Sequence, residues 1–360
     1  MNVKEQLLTL KPYIPGKSTE EVKRDYDLDK IVKLASNENP YGCSPNVLNA
    51  ITTQIPSFAI YPDGAAAELR GKVASYLGVE GNQLIFSSGL DELIQMLIRA
   101  MLSADSNTVM AKETFPQYRH HAIIENAELR EVPLKDGKHD LDEMAKQIDD
   151  QTKIVWICNP NNPTGTYVKQ LELDGFLSKI PNNVLVVLDE AYFEYATNSD
   201  YPNTIPLLQQ YENLLIMRTF SKAFGLAGFR IGYGIGSPSL IKQLEVARLP
   251  FNTSTLAQTA AISALEDKEF VEKTVALNAK ELEKYYKFFD EHQITYYRSQ
   301  GNFVFINIPG ATSEEIFQYL LEKGWIVRAF PNGIRITIGT EDENEELMKL
   351  LAEIVTVKLS

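Results

Sequence analysis

From residue 84 onward, short aliphatic runs alternate with longer stretches in which apolar positions recur every three or four residues. The runs at 84–86, 108–111, 154–158, 184–188, 214–217 and 231–235 are short and mostly β-branched or aliphatic. Strands buried on both faces have this pattern. With helical stretches between them, they predict an α/β unit whose mostly parallel central sheet is sandwiched by helices. Near residue 255 the texture changes. A helical stretch covers about 269–291, with Tyr285 and Phe289 on one face, and strand-like runs follow at 303–308, 325–328 and 334–338. A Thr312-x-x-Glu315 capping box opens a helix among them. The acidic run 341–346 opens a last helix, near 344–357, where carboxylates suit the helix dipole. The pattern predicts an N-terminal arm (1–30) packing on the small domain or a second subunit, a large domain (31–256) and a smaller α+β domain (257–360).

Composition narrows the class. The 360 residues are 44% hydrophobic and 23% charged, as in an ordinary globular protein. A net charge of -13 makes nucleic acid and anionic membrane poor partners. Two cysteines, Cys43 and Cys158, make no disulfide framework, and the first eleven residues lack a signal-peptide pattern, so a cytoplasmic setting is expected. No apolar run approaches membrane-spanning length. Four histidines lack metal-ligand spacing, and no metal is expected.

The candidate chemistry falls at the ends of the apolar runs, where open α/β sheets bind ligands. The most informative stretch is Thr219-Phe220-Ser221-Lys222-Ala223-Phe224-Gly225-Leu226-Ala227-Gly228-Phe229-Arg230. A lysine amine can form a Schiff base with an aldehyde, while hydroxyls and a guanidinium can grip a phosphate. Pyridoxal 5'-phosphate is both aldehyde and phosphate ester, and is the candidate cofactor. Alone, Lys222 would read as a surface lysine. Three distant segments supply the remaining parts of such a site.

Ser87-Ser88-Gly89-Leu90-Asp91-Glu92 leads from a strand into a helix, whose free first-turn amides suit a phosphate, although an ordinary strand-to-helix turn looks the same. Cys158-Asn159-Pro160-Asn161-Asn162-Pro163-Thr164-Gly165 is a proline-fixed loop whose asparagines offer donors to a phenolic oxygen. Leu188-Asp189-Glu190-Ala191-Tyr192 ends a very apolar strand. Its aspartate can pair with a protonated pyridine nitrogen or serve as a helix N-cap, and Tyr192 can donate to the phenolic oxygen. Phe115, also after a strand, is either a ring that stacks on the pyridine or a core aromatic. The Gly232-x-Gly234-x-Gly236 run is not a dinucleotide fingerprint: its glycines lie in or after a strand at the wrong spacing, with no acidic residue about 20 positions on.

Together these segments resemble the fold-type-I pyridoxal-phosphate enzymes of the aspartate-aminotransferase-like class, nearly end to end. Within that class the chain is similar to the histidinol-phosphate aminotransferase family. That likeness rests on Lys11-Pro12-Tyr13-Ile14-Pro15-Gly16-Lys17, Leu34-Ala35-Ser36-Asn37-Glu38-Asn39-Pro40-Tyr41-Gly42, Tyr61-Pro62-Asp63-Gly64 and Ile334-Arg335-Ile336-Thr337-Ile338-Gly339-Thr340. The resemblance implies that Lys222 is the Schiff-base lysine and proton shuttle, that Asp189 pairs with the pyridine nitrogen, and that Tyr192 and Asn162 hold the phenolic oxygen. It implies a phosphate cup of Gly89, Leu90, Asp91, Ser221, Arg230 and Thr219, with Phe115 stacking on the ring. Tyr61 matches a tyrosine that reaches the neighbouring subunit's phosphate, which implies a homodimer with shared sites. Tyr13, Asn37, Arg328 and Arg335 match positions that grip the substrate's anionic end, Arg335 more firmly than Arg328, because the loop between the two arginines is short. The implied reaction moves an amino group from L-histidinol phosphate to 2-oxoglutarate in histidine biosynthesis. Rival readings are an aromatic-amino-acid aminotransferase, a pyridoxal-phosphate-dependent phospho-amino-acid decarboxylase and a non-catalytic cofactor-binding module.

Overall fold

The computed structural model describes residues 2–12, 19–53 and 59–359. The first strand, β1 (Val32–Lys33), is short and sits apart from the main sheet. Seven strands form that sheet: β2 (Leu84–Ser87), β3 (Asn107–Ala111), β4 (Glu128–Val132), β5 (Thr152–Cys158), β6 (Leu185–Asp189), β7 (Leu214–Thr219) and β8 (Gly232–Gly236). Their order is β2-β8-β7-β6-β5-β3-β4, and only β8 runs antiparallel to its neighbours.

Side chains alternate between two buried faces. Val155, Ile157, Val186, Leu188 and Ile216 enter one apolar core, and Ile154, Trp156, Val187, Leu215 and Met217 enter the other. Both faces are covered by helices, which is why the central stretches of β5, β6 and β7 are apolar on consecutive positions. β4 escaped the sequence pattern. It is an edge strand of sequence Glu-Leu-Arg-Glu-Val with most of its positions partly exposed, and charged edges discourage further strand pairing.

The second unit is a four-stranded antiparallel sheet, built from β9 (Thr295–Tyr296), β10 (Phe303–Asn307), β12 (Arg328–Phe330) and β13 (Gly333–Thr337) in the order β12-β13-β10-β9. The helices Lys268–Glu291, Ser313–Glu322 and Glu341–Leu359 pack on it. The Thr312 capping box is present, with its hydroxyl accepting from Glu315 N–H. The run expected as one strand at 325–328 is two. β11 (Trp325–Ile326) pairs with β1, and the chain then turns at Val327 to place β12 beside β13.

The helix Thr255–Glu266 buries Ala257, Ala260, Ala261 and Ala264 in the core of the larger unit, so that core extends past residue 256. In the other direction, Val32 and Leu34 join the core of the smaller unit, and Val22 of the helix Thr19–Tyr26 packs on Ala35, Leu321 and Ile326. Among the described residues, no helix is long and apolar enough to cross a membrane.

Candidate active site

Adjacent strands β5, β6 and β7 run in register, so Cys158 lies beside Asp189 and Asp189 beside Met217. This lines up the carboxyl ends of the sheet, and the segments leaving those ends face one cavity of about 250 Å³. Its walls bring together Leu90, Asp91, Phe115, Asn162, Asp189, Tyr192, Thr219, Ser221, Lys222 and Arg230, all expected from the sequence.

Asp189 is 4% exposed and ends β6. It accepts hydrogen bonds from the Tyr118 hydroxyl at 2.5 Å and from the Ala191 N–H at 3.1 Å. No cationic side chain among the described residues pairs with it. The neighbouring acid Glu190 has one, Arg218, at 2.9 Å. Burial pushes the Asp189 carboxyl up to about 6, against the pull of the Tyr118 hydrogen bond. A carboxylate held this way is short of a positive partner on its cavity side.

Lys222 follows β7, and its Nζ donates to the Ser36 carbonyl at 3.0 Å. Burial, and then the positive charge of Arg335, lowers its pKa to about 8. At pH 7 that raises the neutral fraction from roughly 1 in 3,000 to about 1 in 10. A neutral amine is the form that attacks carbonyls and accepts protons.

One end of the cavity is built for an anion. The helix Leu90–Met101 begins there, and its first-turn amides lack helical acceptors. Arg230 leans over the turn, 3.7 Å from the Asp91 carboxylate. Gly89, at φ +77°, leaves the room. A Cβ at that position would stand 2.2 Å from the Arg230 guanidinium. Ser221 and Thr219 complete the cup, their hydroxyls 3.0 Å apart.

At the other end, buried Arg335 donates to the Asn162 side-chain oxygen at 2.6 Å and to the Ala35 carbonyl at 2.6 Å. Because Asn162 accepts through its oxygen, its amide nitrogen is left to donate. Tyr192 is buried, and its hydroxyl oxygen accepts from the Asn37 amide at 2.8 Å.

The remaining expected residues are placed differently. Arg328 does not line the cavity. It is half-buried on β12, directly opposite Arg335 of β13 and on the same face of the sheet. Tyr61 stands outside the cavity, 77% exposed, stacked on Phe251 at 4.6 Å. Tyr13 lies outside the described residues. Sequence reasoning gave no role to Tyr118, Ser36, Glu38 or Cys158, all of which touch the cavity or its carboxylate. Tyr118 had one available signal: it sits one helical turn after Phe115 and makes an edge contact with that ring at 5.7 Å.

A lysine with a depressed pKa, a buried carboxylate without a cationic partner among the described residues and an anion cup, all on one cavity, suit amine–carbonyl chemistry on a phosphorylated aromatic aldehyde. The comparisons agree. A family model described as aminotransferase class I and II matches residues 29–351, and the chain belongs to that family. It is 59% identical to histidinol-phosphate aminotransferase 1 of Bacillus thuringiensis subsp. konkukian, over 99% of this chain and 97% of that relative. It is 58% identical to the histidinol-phosphate aminotransferase of Geobacillus thermodenitrificans, over 99% of each. The crystal structure of histidinol-phosphate aminotransferase from Sinorhizobium meliloti in complex with pyridoxal-5'-phosphate superposes with a TM-score of 0.89 at 25% identity, covering 99% of this chain and 98% of that one.

Proposed function

We propose that this protein is a pyridoxal-phosphate-dependent aminotransferase that converts L-histidinol phosphate and 2-oxoglutarate into imidazole acetol phosphate and L-glutamate, a step of histidine biosynthesis. The observation that carries this is the meeting, in one cavity, of the Lys222 amine and the Asp189 carboxylate, which has no cationic partner among the described residues. When bound, pyridoxal phosphate supplies an aldehyde that accepts the amino group and a ring that delocalises the electron pair left on the substrate carbon.

The chain does the rest. Asp189 pairs with the ring nitrogen and keeps it protonated. The amides of Gly89, Leu90 and Asp91, with Ser221, Thr219 and Arg230, hold the phosphate. Phe115 covers the ring face, while Asn162 and Tyr192 donate to the phenolic oxygen. Lys222 would tether the aldehyde and, as a free neutral amine, would carry the proton taken from the substrate carbon. The Ser36 carbonyl gives its amine a hydrogen-bonding partner nearby. Arg335 grips the far anion, phosphate in one half-reaction and carboxylate in the other, because a guanidinium fork suits both. Asn37 and Tyr13 support that grip, and Arg328, outside the cavity wall, adds its positive charge from beside Arg335 on the same face of the sheet.

The test is a half-reaction screen on cofactor-loaded enzyme, with L-histidinol phosphate, phenylalanine, tyrosine and aspartate added singly. L-histidinol phosphate is expected to bleach the visible cofactor band most efficiently, and 2-oxoglutarate to restore it. Conversion by the aromatic amino acids alone would replace this reading with the aromatic aminotransferase. Carbon dioxide release without glutamate would replace it with the decarboxylase.

We further propose a homodimer. Tyr61, Ile60, Leu48, Leu249, Val246 and Phe251 are all apolar or aromatic and 46–88% exposed. Exposed apolar side chains of this size, with Tyr61 and Phe251 stacked on each other, suit an interface, and Tyr61 would reach from it into the partner's phosphate cup. Light scattering should give twice the chain mass of 40.5 kDa, and Tyr61→Ala should raise the Kd for pyridoxal phosphate about tenfold, the worth of one hydrogen bond to a charged group. A monomer that binds the cofactor normally would reject the shared site. The two free cysteines, Cys43 and Cys158, suit the cytoplasm, where we place the enzyme.

A further inference from the structure

The direction of the Tyr192 hydroxyl is set from the smaller unit. Asn37 is 1% exposed and sits between Tyr192 and Thr337, which is 3% exposed. The Asn37 backbone N–H donates to the Thr337 hydroxyl oxygen at 2.9 Å. That hydroxyl has one hydrogen, and it points to the Asn37 side-chain oxygen at 3.0 Å. The Asn37 amide is therefore turned with its nitrogen toward Tyr192, where it donates at 2.8 Å. Two further contacts keep Asn37 in place: the Asn302 amide donates to its carbonyl at 3.0 Å, and Thr337 N–H donates to Leu34 O at 2.9 Å.

The donor and acceptor inventory makes this arrangement polar in one sense only. A tyrosine oxygen that already accepts from Asn37 keeps its single proton for another partner. Were the amide turned over, its oxygen would face Tyr192. Tyr192 would then spend its proton on Asn37 and show the cavity only a lone pair. Thr337 disfavours this: its oxygen already accepts from the Asn37 N–H, and a turned-over amide would cost its hydrogen the Asn37 Oδ1 acceptor.

We propose that Thr337 is a positioning residue for the reaction. Acting through Asn37, it biases Tyr192 to donate its proton into the cavity, toward the ligand's phenolic oxygen. Residue 337 lies two positions beyond Arg335 on β13, so both side chains leave the same face of one strand. One strand of the smaller unit thereby anchors the substrate anion and sets the polarity of a catalytic hydroxyl on the larger unit. The inference rests on the proposed function, since it needs a phenolic oxygen as acceptor.

The test is a pH titration of the visible band of the bound cofactor, with no turnover involved. A donor to an oxygen favours its anionic form. Losing the Tyr192 proton from that contact should therefore raise the titration midpoint, by about one pH unit for a hydrogen bond to a charged group. Thr337→Val should show this rise, and Thr337→Ser should titrate as wild type does. In a Tyr192→Phe background, which carries the full rise already, Thr337→Val should add nothing. A Thr337→Val change that shifts both backgrounds equally would show a merely structural role and overturn the inference. So would a Thr337→Val protein that titrates as wild type. If Thr337→Val does not fold, Asn37→Gly takes its place in the same cycle and is held to the same outcomes; glycine suits the φ of +54° at residue 37. A wild-type protein that takes up no pyridoxal phosphate would overturn the proposed function itself. One that loads normally, with additive variants, would overturn this inference alone.

Discussion

Lys222→Ala is expected to bind pyridoxal phosphate yet lose the borohydride-reducible link to the chain, with kcat falling roughly 10⁴-fold or more. Binding survives because its main determinants lie elsewhere: the anion cup at the start of the helix Leu90–Met101, and the Asp189 carboxylate. Turnover does not survive, because a positioned general acid–base alone contributes about 10²–10⁴-fold, and the covalent tether is lost with it. The pH dependence should arise from the same side chain. A lysine whose pKa is held near 8 rather than 10.5 is charged below that value and neutral above it. Attack of the free amine on the cofactor aldehyde, when cofactor is added to the unloaded protein, should therefore rise with pH and level off above about 8. Small external amines should partly rescue Lys222→Ala, each according to its neutral fraction. The measurements are reduction with borohydride followed by peptide mass analysis, and single-turnover kinetics against pH. A Lys222→Ala protein with near-normal turnover would remove the mechanism.

Much of this site was legible in the sequence, for a physical reason. A parallel sheet places the ends of its buried strands at one edge, so residues just beyond separate apolar runs converge there. Asp189, Asn162, Lys222 and Leu90 are far apart in the chain, but each lies at or just past the end of such a run, and all four face one cavity. Contacts decided by packing between elements carried no comparable mark. Tyr118 reaches Asp189 across 71 residues, and Thr337 reaches Asn37 across 300. Apart from the place of Tyr118 one helical turn after Phe115, nothing local to either residue distinguishes it from a core tyrosine or a strand threonine. Arg328 shows the converse: it lies opposite Arg335 on the same face of the sheet, yet it is not part of the cavity wall, which Arg335 meets through its hydrogen bond to Asn162. The unit boundaries blurred for a related reason. An alanine-rich helix such as Thr255–Glu266 fits either core by composition, and only the contacts with the helices Pro45–Thr53 and Ala67–Leu77 assign it to the larger one.

Asp189→Asn should separate stability from function. In the free protein, burial raises this carboxyl from its ordinary value of 3.8 to about 6. A raised carboxyl favours the protonated folded form. The stability it contributes is therefore greatest at low pH and is lost as pH rises through about 6. At pH 7.5 the free protein bears nearly the whole cost of the buried charge, about 3 kcal/mol from the two-unit shift at 1.36 kcal/mol per unit. Asparagine has nearly the same shape and no charge. It can still accept from the Ala191 N–H, although the Tyr118 hydroxyl must find a new geometry, which returns part of the gain. Without cofactor, Asp189→Asn should thus melt a few degrees above wild type at pH 7.5, corresponding to about 1–3 kcal/mol, and the gap should narrow toward pH 5 as the wild-type carboxyl takes up its proton. Saturating pyridoxal phosphate should reverse the order. The carboxylate then has its ring cation, and a ligand stabilises a fold in proportion to the logarithm of its affinity. The variant, unable to hold that cation, should gain less from the ligand and lose most of its kcat. Thermal melts at the two pH values, with and without cofactor, test both halves. An Asp189→Asn protein that melts below wild type in the absence of cofactor at pH 7.5 would mean that Tyr118 and Ala191 already satisfy the charge. The carboxylate would then no longer mark the place of a cationic ring, and the cofactor assignment would rest on the lysine and the anion cup alone.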